Sequence, residues 1–173
     1  CRFYISYLMS KPIIYQLFPR YFANYNETRA YNGSKEENGC GRFADINKRA
    51  LKSIVDLGAT HVWYTGIIRH ATAQYNNPAI TKGKAGSPYA ITDYYDVDPD
   101  LAKNESKRMQ EFESLVKRTH EAGLGVLIDF VPNHVAREYK SVCKPEGVED
   151  LGENDHPEWA FSPLNNFYYL PGE

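Results

Sequence analysis

Residues 125–134 read Gly-Val-Leu-Ile-Asp-Phe-Val-Pro-Asn-His, and this stretch decides the fold. An apolar run without polar alternation is typical of a strand covered on both faces, as in parallel α/β sheets. The run is followed by a carboxylate, an amide and an imidazole, on Asp129, Asn133 and His134. Because side chains at the carboxyl ends of parallel strands form the sites of α/β proteins, the stretch predicts a buried strand that delivers these three groups to a site.

Two further segments resemble strands. The first, residues 12–18, reads Pro-Ile-Ile-Tyr-Gln-Leu-Phe and is stopped by a second proline. The next, residues 60–68, is rich in β-branched and aromatic side chains, which favour strands. Together with residues 126–131, the sequence predicts three strands.

A helix is predicted between each pair of consecutive strands. Apolar residues recur at helical spacing over residues 46–57 and again over residues 105–122. Asp45 is expected to cap the first helix. Gly58 and Gly123 follow the last helical residues, as glycines do where helices stop. Strands that alternate with helices predict an α/β fold with a parallel sheet.

The connections indicate where a site would lie. Long segments, residues 23–42 and 69–100, follow the first two strands and are expected to be loops, whereas the turns after the helices are short. Both the doubly wound sheet and the (β/α)8 barrel build their sites from loops after strands. The chain contains no glycine-rich phosphate fingerprint after its first strand, which favours the barrel over an unrelated doubly wound domain.

Composition narrows the function classes. The 173 residues are 42% hydrophobic and carry a net charge of −2, which predicts a globular protein without an electrostatic preference for nucleic acid or membranes. The three cysteines, Cys1, Cys40 and Cys143, have no disulfide or zinc spacing, so a reducing compartment, and with it a cytoplasmic location, is the default expectation.

Met9 is a candidate start residue, with residues 1–8 as an upstream extension. The acidic run at residues 146–155 is expected to be a solvated loop.

Several stretches together resemble the α-amylase family, the family 13 glycoside hydrolases. They are Tyr-Gln-Leu-Phe-Pro-Arg-Tyr-Phe at residues 15–22, Pro-Tyr-Ala-Ile-Thr-Asp-Tyr at residues 88–94, and Asp-Phe-Val-Pro-Asn-His at residues 129–134. They occur in the family's order and extend over almost the whole chain from Ile13 onward. Several motifs in order and in the expected structural context are far more specific than one short pattern.

The resemblance implies a retaining enzyme that acts on the α-glucosidic bonds of starch-type glucans or oligosaccharides. It implies that His134 binds a hydroxyl of the sugar at the scissile bond and that Tyr89 stacks under the same sugar. Asp129 would be a supporting carboxylate that orients an arginine near the nucleophile. Asn133 would be either a ligand of a structural calcium ion or a structural amide, since turn chemistry after a proline explains an asparagine equally well.

The chain departs from the family pattern at several positions. Gly66 stands where the family commonly has a proline, and Pro88 stands where it has a glycine before the stacking tyrosine. In residues 41–46, Arg42 replaces an acidic residue and Asp45 replaces a glycine. These departures leave the subfamily open.

The resemblance also divides the chain. Residues 1–11 would be an N-terminal extension, residues 12–135 the N-terminal part of the barrel, with about three β/α units, and residues 136–173 the beginning of the inserted domain B. A complete barrel has eight strands and typically about 250 residues, so the catalytic nucleophile and the acid/base are expected outside this sequence. We therefore expect a fragment that is inactive by itself and whose open sheet edges favour aggregation.

Two alternatives to a hydrolase remain. A transglycosylase of the same family would transfer glucosyl units to a sugar instead of water. A non-catalytic, amylase-like interaction module would keep the fold without its chemistry.

Overall fold

The computed structural model describes residues 11–170, so the expectations for Met9 and most of the N-terminal extension lie outside the described residues. The strands are β1 (Ile14–Leu17), β2 (His61–Tyr64), β3 (Ile68–His70), β4 (Ile91–Val97) and β5 (Gly125–Ile128). The α-helices are α1 (Lys35–Asn38), α2 (Lys48–Asp56) and α3 (Arg108–Glu121). Short 3-10 turns occupy Phe43–Asp45, Pro99–Leu101 and Glu105–Lys107. None of the helices described between residues 11 and 170 is long and apolar enough to span a membrane.

The three predicted strands form a parallel sheet with β2 in the centre, in the order β1-β2-β5. Ile14 pairs with His61, and His61 pairs in turn with Gly125. This confirms the parallel pairing predicted from the strand and helix alternation. The described residues add a second, antiparallel sheet of two strands and do not form a closed barrel.

Helix α2 lies near its predicted place, but its cap was predicted wrongly. Asn47, not Asp45, accepts hydrogen bonds from the first helical amides. Asp45 belongs to the preceding 3-10 turn, where its carboxylate accepts from the backbone N–H of Arg42 at 2.9 Å. Leu51 and Ile54 are buried against the sheet. The first turn therefore starts two residues later than the sequence pattern suggests.

Helix α3 covers the same face of the sheet. Leu115 and Thr119 are fully buried, and Thr119 Oγ1 lies 2.6 Å from the hydroxyl of Tyr64 on β2. Burial raises the pKa of the Tyr64 hydroxyl, so it stays protonated and able to donate. Gly123 ends the helix in the left-handed region, with φ of +83°, as predicted.

The opposite face of the parallel sheet is open, which corrects the expectation of a strand covered on both faces. Alternation along the strands places Ile14, Trp63 and Leu127 on this face, away from the helices. Ile14 is 48% exposed and Leu127 is 39% exposed. Ile128, on the helix side of β5, is 46% exposed as well. The apolar run of β5 therefore predicts that both of its faces are buried, but residues 11–170 do not cover them both.

The long loop predicted over residues 69–100 is confirmed for residues 71–90, but its two ends belong to β3 and β4, which pair as an antiparallel ribbon. Strand β4 was not predicted because carboxylates, including Asp93 and Asp96, occupy buried positions in it, where a sequence pattern leads one to expect apolar residues. Likewise, helix α1 lies inside the loop predicted over residues 23–42, where Ser34 and Glu37 form a capping box. Residues 136–170 contain neither helix nor strand, and the expected start of domain B there stays a prediction.

Candidate functional site

The carboxyl edge of the parallel sheet is organised around Asp129, which directly follows β5. One carboxylate oxygen accepts from the indole Nε1 of Trp63 at 2.7 Å. The other accepts from the backbone N–H of Gly66 at 2.9 Å. Both donors come from β2 or the turn after it, so the carboxylate is fixed between two strand ends.

Gly66 explains one departure from the family pattern, and the sequence alone had not revealed its role. Its φ is +73°, and a Cβ there would lie 2.6 Å from the Phe18 ring and 3.0 Å from Pro88 Cβ. A proline could neither adopt this φ nor donate a hydrogen bond to Asp129. In the sequence, a glycine at position 66 together with an aspartate at position 129 was the signal from which this hydrogen bond could have been predicted.

The approach of Pro88 to Gly66 brings the predicted stacking residue to the same edge of the sheet. Tyr89 follows Pro88 and is 40% exposed. Its backbone N–H donates to Ser87 Oγ at 3.4 Å, which closes a short turn before β4. The ring is therefore carried by an ordered turn and remains accessible to a ligand.

Asn133 and His134 are exposed and contact each other. The Asn133 Oδ1 atom lies 2.7 Å from His134 Nδ1, so this ring nitrogen donates the hydrogen bond. In the neutral imidazole the proton is then on Nδ1, which leaves Nε2 as an acceptor for a hydroxyl group. Between residues 11 and 170, no hydrogen bond joins Tyr89, Asp129 and His134 to one another.

The segment that carries Asn133 and His134 is held against β4. The Tyr94 hydroxyl donates to the carbonyl of Val131, and the Ala136 N–H donates to Ile91 O at 2.8 Å. Asp93 accepts from the backbone N–H groups of Val142 and Cys143, at 2.7 and 3.0 Å. Strand β4 therefore fixes both ends of the segment that contains the two predicted site residues.

The surroundings of Asn133 do not by themselves make a calcium site. Calcium takes six to eight oxygen ligands, usually with carboxylates among them, and the oxygen of Asn133 is engaged by His134. The cluster of potential ligands found within the described residues, Asp93, Asp96 and Cys143, lies elsewhere. Calcium at Asn133 stays a prediction.

The Asp96 cluster is an ion-pair network. Asp96 is buried and accepts from Arg69 at 2.9 Å and from Arg108 at 2.8 Å. Burial alone would raise the pKa of Asp96, but the hydrogen bonds from the two arginines outweigh it and hold the pKa below its ordinary value. Partial desolvation and the neighbouring Asp96 carboxylate raise the pKa of the exposed Cys143 thiol, which keeps it protonated at neutral pH. This set joins β4 to α3.

The acidic run was predicted to be a solvated loop; most of residues 146–155 are exposed and form neither helix nor strand, but Asp150 is buried and Asp155 is half-buried. Asp150 is buried and accepts from the N–H and the hydroxyl of Ser141, at 2.8 and 2.7 Å. Asp155 accepts from the N–H groups of Asn166 and Phe167, at 2.7 and 2.9 Å. These two residues organise the chain after the candidate site.

The fold and the site together define a class of protein: an α/β protein with a parallel sheet whose polar side chains gather at the carboxyl ends of the strands. The family description "Alpha amylase, catalytic domain" matches residues 16–165. The chain belongs to the α-amylase family of glycoside hydrolases, whose catalytic domain is a (β/α)8 barrel.

Relatives of known identity agree with the family. Maltase 1 of Drosophila virilis is 28% identical over 143 residues, which cover 80% of this chain and 18% of the maltase. An alpha-amylase from Lactobacillus plantarum has a crystal structure that matches with a TM-score of 0.56 at 30% identity, over 87% of this chain and 27% of that one. The amino acid transporter heavy chain SLC3A1 of Mus musculus is 27% identical over 71% of this chain and 14% of its own length. The chain spans about a fifth of the length of the curated relatives it matches.

Proposed function

We propose that the chain forms the sugar-binding part of the active site of a retaining enzyme that acts on α-glucosidic bonds of starch-type glucans or oligosaccharides. The observation that carries the proposal is the fixed Asp129, which accepts hydrogen bonds from Trp63 on β2 and from Gly66 in the turn after it, four residues before the exposed Asn133–His134 pair. Membership of a glycoside hydrolase family supplies the class of substrate.

In this proposal each predicted residue has a different task. His134 Nε2 binds a hydroxyl of the sugar at the scissile bond, and the Tyr89 ring stacks on the apolar face of the same sugar. Asp129 acts as a positioning group that orients an arginine near the nucleophile, and its two oxygens already accept from Trp63 on β2 and from Gly66 in the turn after β2. A fixed carboxylate suits this task because preorganised charge needs no rearrangement during the reaction.

A reaction that retains the anomeric configuration also requires a pair of catalytic carboxyl groups. A carboxylate attacks the anomeric carbon, and a carboxylic acid roughly 5–5.5 Å away protonates the leaving oxygen. We propose that the chain by itself binds α-glucosides without hydrolysing them, since its predicted site residues bind and position a sugar but do not supply this pair.

The test combines binding and turnover. Titration of the 173-residue chain with maltotetraose, followed by calorimetry, is expected to show binding that His134→Ala and Tyr89→Ala each weaken. Incubation with the same sugar is expected to give no glucose, the product of a hydrolase. It is also expected to give no oligosaccharides longer than maltotetraose, the products of a transglycosylase. His120→Ala is the matched control, because His120 is exposed on α3, far from the carboxyl edge of the sheet. Equal losses in the His120 and His134 variants would contradict the assignment.

Similarity to the transporter heavy chain favours a second candidate, a non-catalytic interaction module. Its interface would be the open sheet face with Ile14, Trp63 and Leu127. The same titration separates the two candidates: a chain that binds no α-glucoside at all, yet folds, supports the interaction module.

A further inference from the structure

His70 is a buried side chain outside the candidate site. It is the last residue of β3 and is 4% exposed. Its Nε2 atom lies 3.3 Å from the carbonyl oxygen of Ala85, which stands 15 residues further along the chain. Burying an imidazole is costly unless its polar atoms find partners, so the contact with Ala85 helps to make this position tolerable. The contact connects β3 to the loop that leads to Tyr89.

The surroundings of the His70 ring place a proton on Nε2. Besides the carbonyl of Ala85, this nitrogen faces the carboxylate of Asp98, whose Oδ2 atom lies 3.8 Å away. Asp98 is 1% exposed, and its Oδ2 atom accepts no hydrogen bond from residues 11–170. The other ring nitrogen, Nδ1, faces one acceptor, the carbonyl of Ile68 at 3.3 Å. A nitrogen that faces two acceptors donates, so Nε2 donates the hydrogen bond to Ala85.

The loop around Tyr89 is attached to β3 on both sides. On the far side, the backbone N–H of Ala71, the residue after β3, donates to the carbonyl of Ala90 at 2.9 Å. On the near side, the attachment is the side chain of His70. Between these points the loop runs close to β3, because a Cβ on Gly86 would overlap the carbonyl of Ala71. The loop is therefore closed by contacts with two consecutive residues.

The two contacts differ in how they depend on the sequence. Any residue except proline at position 71 can donate its backbone N–H, whereas the contact with Ala85 requires a donor at the tip of the side chain at position 70. A loop attached at one end only has more accessible conformations, and a ligand that stacks on its ring must order them at a cost in affinity. The order of the Tyr89 ring before binding therefore depends on His70.

We propose that His70 is a positioning residue for Tyr89, because the hydrogen bond from its Nε2 to the carbonyl of Ala85 fixes the start of the loop whose ring stacks on the sugar. This inference rests on the proposed function, which assigns the stacking to Tyr89. It requires that His70 affect sugar affinity through Tyr89 alone.

Two neutral substitutions of His70 test the contact. The side-chain amide nitrogen of glutamine reaches the place of Nε2, whereas that of asparagine reaches only the place of Nδ1. In titrations of the 173-residue chain with maltotetraose, His70→Asn is expected to weaken binding about tenfold, the upper range for one neutral hydrogen bond. His70→Gln should stay within about twofold of the wild type. His120→Asn is the matched control, since His120 is exposed.

A double-mutant cycle separates positioning from a general effect on the fold. In a Tyr89→Ala background, His70→Asn should leave the residual affinity for maltotetraose unchanged, since the ring that His70 positions is absent. A histidine that only stabilises the fold would weaken binding by the same factor in both backgrounds. Equal losses in the two backgrounds, or equal losses in the Gln and Asn variants, overturn the inference and leave the proposed function intact.

Measurements without sugar keep the inference testable if a variant folds poorly. In the wild type, nitrogen-15 NMR of the His70 ring should show a proton on Nε2, and an unprotonated Nε2 overturns the contact with Ala85. In His70→Asn, the amide of Ala90, which donates to Ser87, should exchange about tenfold faster, while exchange in β2 stays as in the wild type. A wild-type chain that binds no α-glucoside overturns both the proposed function and this inference.

Discussion

The turn at Gly66 gives the sharpest test of how the site is held, because three effects can be separated there. Gly66→Ala keeps the N–H that binds Asp129 but forces a side chain into the left-handed region, which costs about 1–2 kcal/mol, and it also places a Cβ 2.6 Å from the Phe18 ring, which must shift. Gly66→Pro, the residue common in the family, also removes the donor to a carboxylate, which costs about 1.5–3 kcal/mol more. The proline variant should therefore lose about 4 kcal/mol of local stability.

Amide hydrogen exchange measures this local stability without requiring that the whole chain unfold in one step. Each 1.4 kcal/mol corresponds to a tenfold change in the opening equilibrium, so exchange in β2 should rise about tenfold in the alanine variant. In the proline variant it should rise on the order of a thousandfold. Gly58→Ala is the control: φ there is +85° and no atom lies within 4 Å of the added Cβ, so that variant measures the backbone cost alone.

The reasoning fails if Gly66→Pro exchanges no faster than Gly66→Ala. That result would mean that the N–H of Gly66 contributes nothing to holding Asp129. It would also mean that the turn accepts the family's proline by changing its path.

Three other outcomes follow from the structure. Asp96→Asn should speed exchange in β4 and α3 about a hundredfold, since breaking a buried ion pair costs about 3 kcal/mol. Because the folded-state pKa of Asp96 is lowered, this stabilisation is present above about pH 4 and is lost as the pH falls further, so variant and wild type should converge in acid. Urea unfolding of the chain should show a slope below that of a well-packed domain of 173 residues, because an apolar sheet face is open; a steep cooperative transition contradicts this. Calcium should slow exchange in residues 130–142 if Asn133 is a ligand, and Asn133→Ala should abolish the effect while Asn165→Ala does not.

The parallel sheet was predictable because its signals are local. The apolar run of β5 and the glycines after α2 and α3 depend on side-chain pattern and backbone φ, both of which a sequence displays directly. The boundaries were less accurate: Asn47 replaces Asp45 as the cap because both residue types suit a helix start and only the 3-10 turn decides between them.

The ribbon and the anchored acidic residues were not predictable for a physical reason. Asp93, Asp96, Asp150 and Asp155 resemble surface residues in a sequence, and their burial or ordering depends on hydrogen-bond partners from 9 residues away, for Asp150, to 49 residues away, for Asp93. Asp93, for example, binds the amides of residues 142 and 143. Composition predicts that a carboxylate prefers water, whereas these carboxylates replace water with backbone N–H groups and arginines.

The order β1-β2-β5 has a consequence for biosynthesis. His61 pairs with Gly125, so a ribosome must add about 64 residues between the central strand and its second partner, which takes roughly 3 to 13 s at ordinary elongation rates. During that interval β2, with Trp63 and the unpaired edge of its backbone, is held only by β1 and α2. During this period one edge of the apolar strand β2 has no partner strand. Chaperones should therefore bind the nascent chain mainly between the time when β2 leaves the ribosome and the time when β5 does.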